Sequence, residues 1–293
     1  MLLPRVLTAV VLLVVLVGAA LWAPDFWFDG LLLLIVCLGY YEWLRLLSVR
    51  PARAVSMACA LGILGVLGLL AFPSIIAAAN GIGGAVTPVY LLATLVWIIG
   101  VPIALTQRRS MGGQNTLGQM VAFMLCVSTW IALIQADGLG KPFLLSVLLL
   151  VWVADTAAYF AGRAFGRRRL APAISPGKTW EGVVGAVVGN LVLAVLFTAW
   201  IPVGPDNPAG SLFHLIAQSA GWPFLVGLVV LVTLVGVVGD LYESLLKRLC
   251  GVKDSGHLLP GHGGVLDRID ALMAVFPVTM GIVSLIQLGL IGV

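Results

Sequence analysis

Apolar residues along this chain neither alternate with polar ones nor keep to one helical face; they run unbroken, as in LTAVVLLVVLVGAALWA, and stop at short polar clusters. Runs of about 20 such residues have the length that crosses a bilayer as an α-helix. Nine can be read, near 5–23, 30–48, 54–78, 86–105, 117–136, 143–162, 182–202, 222–246 and 271–291. Strands of a membrane barrel would alternate apolar and polar positions over roughly ten residues, which these runs do not. The pattern therefore predicts an all-α polytopic membrane protein with about nine transmembrane helices. Composition agrees, since 61 % hydrophobic residues and a mean hydropathy of +1.14 exceed what a soluble core of 293 residues can hide. The first run has a second reading as a cleaved signal peptide, because Arg5 precedes it and Ala23 ends it. Its apolar core is longer than the roughly 7 to 15 residues of such segments, and Pro24 follows at once, so a retained helix is expected.

Only 10 % of residues are charged, and their order sets the topology. Arg5, then Arg45, Arg50 and Arg53, then Arg108 and Arg109, then Arg163, Arg167, Arg168, Arg169 and Lys178, and finally Lys247, Arg248, Lys253 and Arg268 fall at alternate connections. Lys141 alone falls opposite, where Asp25, Asp29, Asp137 and Asp206 also lie. Positive loops stay cytoplasmic, so the N-terminus is expected inside and the C-terminus outside. Cys37, Cys59, Cys126 and Cys250 lack paired spacing and form neither a disulfide framework nor a zinc site. The motifs crowd into the second half. The chain is read as one membrane domain with a scaffold part, 1–140 (spans one to five), and a chemical part, 141–293 (spans six to nine).

Three polar segments in that second part carry chemistry. Asp155, Tyr159 and Arg163 recur every fourth residue and share a face at the end of span six. An acid so deep in an apolar run needs a cation, a water-filled cavity or an interhelical ion pair that fixes packing. Next comes ISPGKTWEG, where GKT suggests a phosphate-binding P-loop. That motif needs Gly where Pro172 stands, and no strand is expected ahead of it. Ser175, Lys178, Thr179 and Glu181 at a helix start still suit a phosphate, while capping by Ser175 or Thr179 is an equal reading. Gly182, Gly185 and Gly189 fit close helix packing better than ligand binding.

The third segment, Ser244 to Asp270, is the densest. Asp240, Glu243 and Lys247 line one face of span eight, and Asp267 and Asp270 stand one turn apart at the start of span nine. Two carboxylates so close repel; a divalent cation relieves this, and so do Lys247, Arg248 or Arg268. Oxygen-only ligands favour Mg²⁺, which is usually held by one or two carboxylates plus substrate phosphates. His257 and His262 lie in a Pro/Gly loop without Cys partners, so zinc is not expected. Gly261, Gly263 and Gly264 allow a backbone to approach an anion, or simply make turns. Carboxylates, cations and glycine turns on one membrane face suit phosphoryl or nucleotidyl transfer.

At these positions the chain resembles the phosphatidate cytidylyltransferases, or CDP-diacylglycerol synthases. Their long signature is matched by Ser244, Lys247, Arg248, Lys253, Asp254, His262, Gly263, Gly264, Asp267, Arg268 and Asp270. A second element is matched by Ser175, Pro176, Lys178, Thr179, Glu181 and Gly182, and a third by Asp155 to Gly162. The resemblance implies that CTP and phosphatidic acid give CDP-diacylglycerol and pyrophosphate, in an inner membrane if the source is bacterial, with the site facing the cytoplasm. Asp240, Lys247, Asp267 and Asp270 are the expected catalytic set, and Asp240, Asp267 and Asp270 the expected Mg²⁺ ligands, with a second cation as an option. Ser175, Lys178, Thr179, Ser244, Arg248, Lys253, His262, Gly263, Gly264 and Arg268 are expected to bind substrate phosphates. Asp155, Tyr159, Glu181, Glu243 and Asp254 are further candidates. Membrane lipid and a homodimer belong to the same expectation; nucleic acid does not. Two rivals stand beside it: an ion-coupled transporter with Asp155, Asp240 and Glu42 as a relay, and a CTP-dependent lipid-alcohol kinase. Glu42 and Arg45, one turn apart in span two, either touch the site or only pair together.

Overall fold

The computed structural model describes residues 11, 14–72, 84–113, 115–201, 203–204, 209–259, 261 and 263–292. Among them eight helices are long and apolar enough to cross a membrane. They are α1 (Asp25–Leu46), α2 (Pro51–Ala71), α3 (Thr87–Gln107), α4 (Thr116–Gly138), α5 (Lys141–Phe165), α6 (Trp180–Trp200), α7 (Leu212–Leu249) and α8 (Leu266–Gln287). The protein is thus an all-α integral membrane protein, with each expected span from the second to the ninth present as a helix. Of the first, 5–23, residues 5–10, 12 and 13 lie outside the described residues, and 14–22 are helical. Helix ends follow local chemistry. Pro51 opens α2 from its first turn, where its missing N–H costs nothing. Asn115 caps α4 by accepting from the N–H groups of Leu117 (3.1 Å) and Gly118 (3.3 Å).

α8 is the most enclosed of the eight and packs against α1, α3, α4, α5 and α7. The pairs α5–α6 and α7–α8 have the most extensive contacts, and glycines explain the first. A Cβ on Gly185 would overlap Ala161, and one on Gly189 would come 2.9 Å from Ala157 Cβ. Apolar tails gain nothing by leaving lipid, so close backbone approach is what holds such helices together. The packing role read for Gly185 and Gly189 is the one they have. Polar groups inside the bundle pair across helices: Asn190 Nδ2 donates to Thr233 Oγ1 (2.9 Å), and Tyr90 Oη to Gln135 Oε1 (2.7 Å).

Two features depart from the sequence reading. No strand is expected ahead of Lys178, yet β1 (Arg169–Ala171) and β2 (Ser175–Thr179) form an antiparallel hairpin there. Strands this short, one holding Pro176 and Gly177, carry no apolar alternation to read. The hairpin is closed instead by Trp180 N donating to Arg168 O (3.0 Å) and by the Glu181 carboxylate accepting from Arg168 N (3.2 Å). Pro172 still excludes a P-loop. The other departure is α7, which starts at Leu212 rather than near 222 and passes a break at Gly221 (φ 80°) just before Pro223. The added segment docks through Leu212 N, which donates to Ser146 Oγ (3.0 Å), and Phe213, 5.7 Å from the Phe197 ring.

Candidate active site

The end of α5, the hairpin, the start of α6 and the last turns of α7 enclose a cavity of about 660 Å³. Its lining has two characters. Asp155, Tyr159, Arg163, Arg169, Ser175, Lys178, Thr179 and Asp240 form a polar end, whereas Leu150, Val151, Val183, Ala186, Val232 and Val275 form an apolar one deeper in the bundle. Asp240 and Lys178 form an ion pair across the polar end, and Ser244 Oγ lies 3.4 Å from the other Asp240 oxygen. Asp155, which the sequence reading assigns a cation or a cavity, has both, with Asp240, Lys178 and Arg268 as electrostatic neighbours. Asp270 acts on the same group from behind, its charge interacting with Asp240, Lys178 and Asp155.

Asp267 belongs elsewhere, although it stands one turn before Asp270. Its Oδ1 accepts from Lys247 Nζ (2.7 Å); its Oδ2 accepts from Gly264 N (2.8 Å) and Ser255 N (3.0 Å), with Ser255 Oγ also at 3.0 Å. Lys247 Nζ also lies 2.5 Å from Glu243 Oε2, the pairing expected of neighbours four apart on a helix. Thus the acids split into two groups. One surrounds Lys178 and faces the cavity; the other surrounds Lys247 and is enclosed by the loop 250–265.

Several expected residues brace the site. Thr179 caps α6 by accepting from Gly182 N (3.1 Å), which settles its capping role. Arg248 ties α7 to the hairpin turn, donating from Nε to Ile174 O (3.3 Å) and from Nη1 to Val252 O (3.4 Å). Arg163 Nη1 donates to Tyr159 Oη (3.1 Å), and Tyr159 is exposed at the cavity mouth. Lys253, Asp254 and Arg268 are exposed on the same side. Gly263 holds φ 84°, where L side chains are strained, and pairs with Leu259 through the Leu259 N–H (3.0 Å). His262 lies outside the described residues.

The sequence reading left Glu42 undecided and did not single out Ser255. Glu42, in α1, accepts at Oε2 from Leu266 N (2.8 Å) and lies 3.0 Å from Ser255 Oγ. Arg45 does not pair with it; its Nη1 donates to Val49 O (2.5 Å). Glu42 is not among the residues lining the cavity that Asp155 and Asp240 share. An acid inside an otherwise apolar span was the one available signal for it.

The acids around Lys178 suit Mg²⁺ in chemical type, being hard oxygen donors on an open cavity. Among the described residues no group of three or more His, Cys, Asp or Glu side chains is close enough to hold an ion unaided. Mg²⁺ is usually held by one or two carboxylates together with waters and substrate phosphates, so it does not require a full protein cage.

Comparison with known proteins places the chain in a family. Residues 3–286 match the Cytidylyltransferase family. A phosphatidate cytidylyltransferase of Pseudomonas aeruginosa is 36 % identical over 283 residues, 95 % of each chain. One from Haemophilus influenzae is 34 % identical over 292 residues, 94 % of this chain and 96 % of its own. One from Bacillus subtilis is 32 % identical over 247 residues, 84 % and 85 % of the two.

Proposed function

Because the chain belongs to the cytidylyltransferase family, we propose that it transfers the cytidylyl group of CTP to phosphatidate, giving CDP-diacylglycerol and pyrophosphate for phospholipid biosynthesis. The observation that carries this reading is the two-ended cavity: its polar end suits phosphates and its apolar end suits the acyl part of a lipid. A phosphate oxygen of phosphatidate attacks the α-phosphorus of CTP, a new P–O bond forms, and the bond to the β-phosphate breaks with pyrophosphate leaving. The attacking phosphomonoester is already anionic near neutral pH, so no strong base is required. Rate comes from holding two anions together and offsetting their charge.

Lys178, at the cavity, and Arg163 and Arg169 beside it bind the phosphates. Asp240 holds Lys178 in place until substrate arrives. Mg²⁺, when bound, would supply further positive charge against the reacting phosphates. Asp240 and Asp270 would be the carboxylates that hold it. Asp267, the third carboxylate proposed for that ion, is already engaged through both oxygens by Lys247, Ser255 and Gly264, so it joins only by releasing one of them. The protein lies in the inner membrane with the cavity mouth toward the cytoplasm, a placement supported by the Arg and Lys gathered at that end.

The test is purified protein in detergent with Mg²⁺, phosphatidate and CTP labelled at the α-phosphate. Label in a chloroform-soluble product with equimolar pyrophosphate is expected. Release of CDP with phosphoryl transfer to a lipid alcohol would replace this reading with a kinase.

A further inference from the structure

We infer that Glu42, in the scaffold half of the chain, is a positioning residue for the active site and sets the place of the signature loop and of α8. Its side chain is 1 % exposed, inside a transmembrane helix, and its partners all belong to the loop 255–266. α8 begins with no side-chain cap of its own: Val265 precedes it in helical conformation. The first N–H groups of a helix lack internal acceptors and carry partial positive charge. Glu42 supplies the missing acceptor from another helix through Leu266 N, while Asp267, in the first turn of α8, accepts from the loop through Gly264 N. The Ser255 hydroxyl lies 3.0 Å from both carboxylates and joins them. Glu42 is thereby linked through Ser255 to Asp267, which pairs directly with Lys247.

The neighbouring glycines record the same fit. A Cβ on Gly264 would overlap Glu42 Oε2 and Ser255 Oγ, and the three atoms nearest a Cβ on Gly256 all belong to Glu42. Gly39, one turn before Glu42, would place a Cβ 2.7 Å from Ile269 Cδ1, so α1 and α8 touch closely here. The second glycine of the HGG signature is therefore required by a carboxylate from the other half of the molecule. Glu42 Oε1 has no hydrogen-bond partner among the described residues. A buried carboxylate oxygen so placed costs stability, consistent with a residue kept for position rather than for packing.

This inference rests on the cytidylyl-transfer reading, and the two fail separately: wild-type protein that labels no lipid sinks the reading, whereas active wild type with indifferent Glu42 variants sinks only the inference. The assay is steady-state transfer from α-labelled CTP, with folding checked by thermal unfolding in detergent. Glu42→Ala is expected to lower kcat by about 10- to 100-fold, as loss of a supporting partner does at ligand sites, with KM for CTP changed less than about threefold. Gly256→Ala should impair the wild type but add little to Glu42→Ala, because the atoms it strikes are then gone. Should Glu42→Ala fail to fold, Glu42→Asp takes its place under the same criteria, withdrawing the carboxylate by one methylene while keeping its charge. A kcat within twofold of wild type, a loss confined to KM, or fully additive effects of the Gly256 and Glu42 substitutions would overturn the inference.

Discussion

Two lysines organise the acids of this protein, and their surroundings differ. Lys178 and Asp240 have side chains 25 % and 30 % exposed and face a cavity; Lys247, Glu243 and Asp267 are 13 %, 4 % and 7 % exposed and face one another. The first pair can exchange its partner for a substrate phosphate without leaving a buried charge behind. The second cannot, because removing one member of an enclosed ion pair leaves the rest uncompensated. Similar residue types thus stand in different settings: the open group faces the cavity, and the closed group ties the loop 250–265 to the start of α8.

The largest effect should follow from breaking the open group. Asp240→Asn and Lys178→Ala are each expected to lower kcat/KM by about 100-fold or more, the order seen when a group that offsets transition-state charge is removed. Their unfolding midpoints should stay near that of the wild type. Chelation of Mg²⁺ should abolish transfer, and added Mg²⁺ should restore it. Activity that persists at full rate under chelation would place the charge compensation wholly on the cations.

Breaking the closed group should do the reverse. Lys247→Met strands Glu243 and Asp267 together and should cost stability on the scale of about 3 to 5 kcal/mol for a buried pair that loses a partner. Adding Glu243→Gln should recover part of it, because one of the two stranded charges is then gone. Thermal or denaturant unfolding in detergent reads this directly. A stable Lys247→Met protein with a pure kcat defect would mean that Lys247 also acts on substrate.

How far these groups can be read without coordinates depends on sequence distance. Asp155 and Asp240 stand out because an acid in an apolar run needs a reason. The separate fates of Asp267 and Asp270 do not, since spacing puts them on one helix face and only the fold of the loop 250–265 wraps the first. Thr179 shows the limit of motif reading in another way: its phosphate and capping roles predict the same residue, and only the contact to Gly182 shows that it caps α6. Glu42 is the extreme case, with partners 213 and 224 positions away, a pairing that local pattern cannot encode. The apolar runs, by contrast, are local, and so the eight long helices were legible in place, the start of α7 excepted.

An intermediate effect is expected where no charge is involved. Gly185→Ala places a methyl against Ala161 and pushes α6 from α5, the two helices that wall the cavity. Overpacking of this kind costs about 1 to 3 kcal/mol. Because the cavity walls move with it, KM for phosphatidate should rise more than KM for CTP. Equal changes in both would indicate that the helix contact sets stability alone.

The smallest effect should come from a third lysine, at the opposite end of the bundle. Lys141 pairs with Asp137 at 2.7 Å and lies 4.5 Å from the Phe28 ring centroid. It has the i, i+4 acid partner that Lys247 has, but it is more than a third exposed and lines no part of the cavity. The ammonium of this pair is solvated although the Asp137 side chain is only 7 % exposed, so its loss bears on stability and not on transfer. Lys141→Ala should therefore leave kcat within twofold and lower the unfolding midpoint less than Lys247→Met does. If instead it lowered kcat tenfold, proximity to the cavity would no longer separate the lysines that act on substrate from those that hold the fold, and the division between the Lys178 and Lys247 groups would need another physical basis.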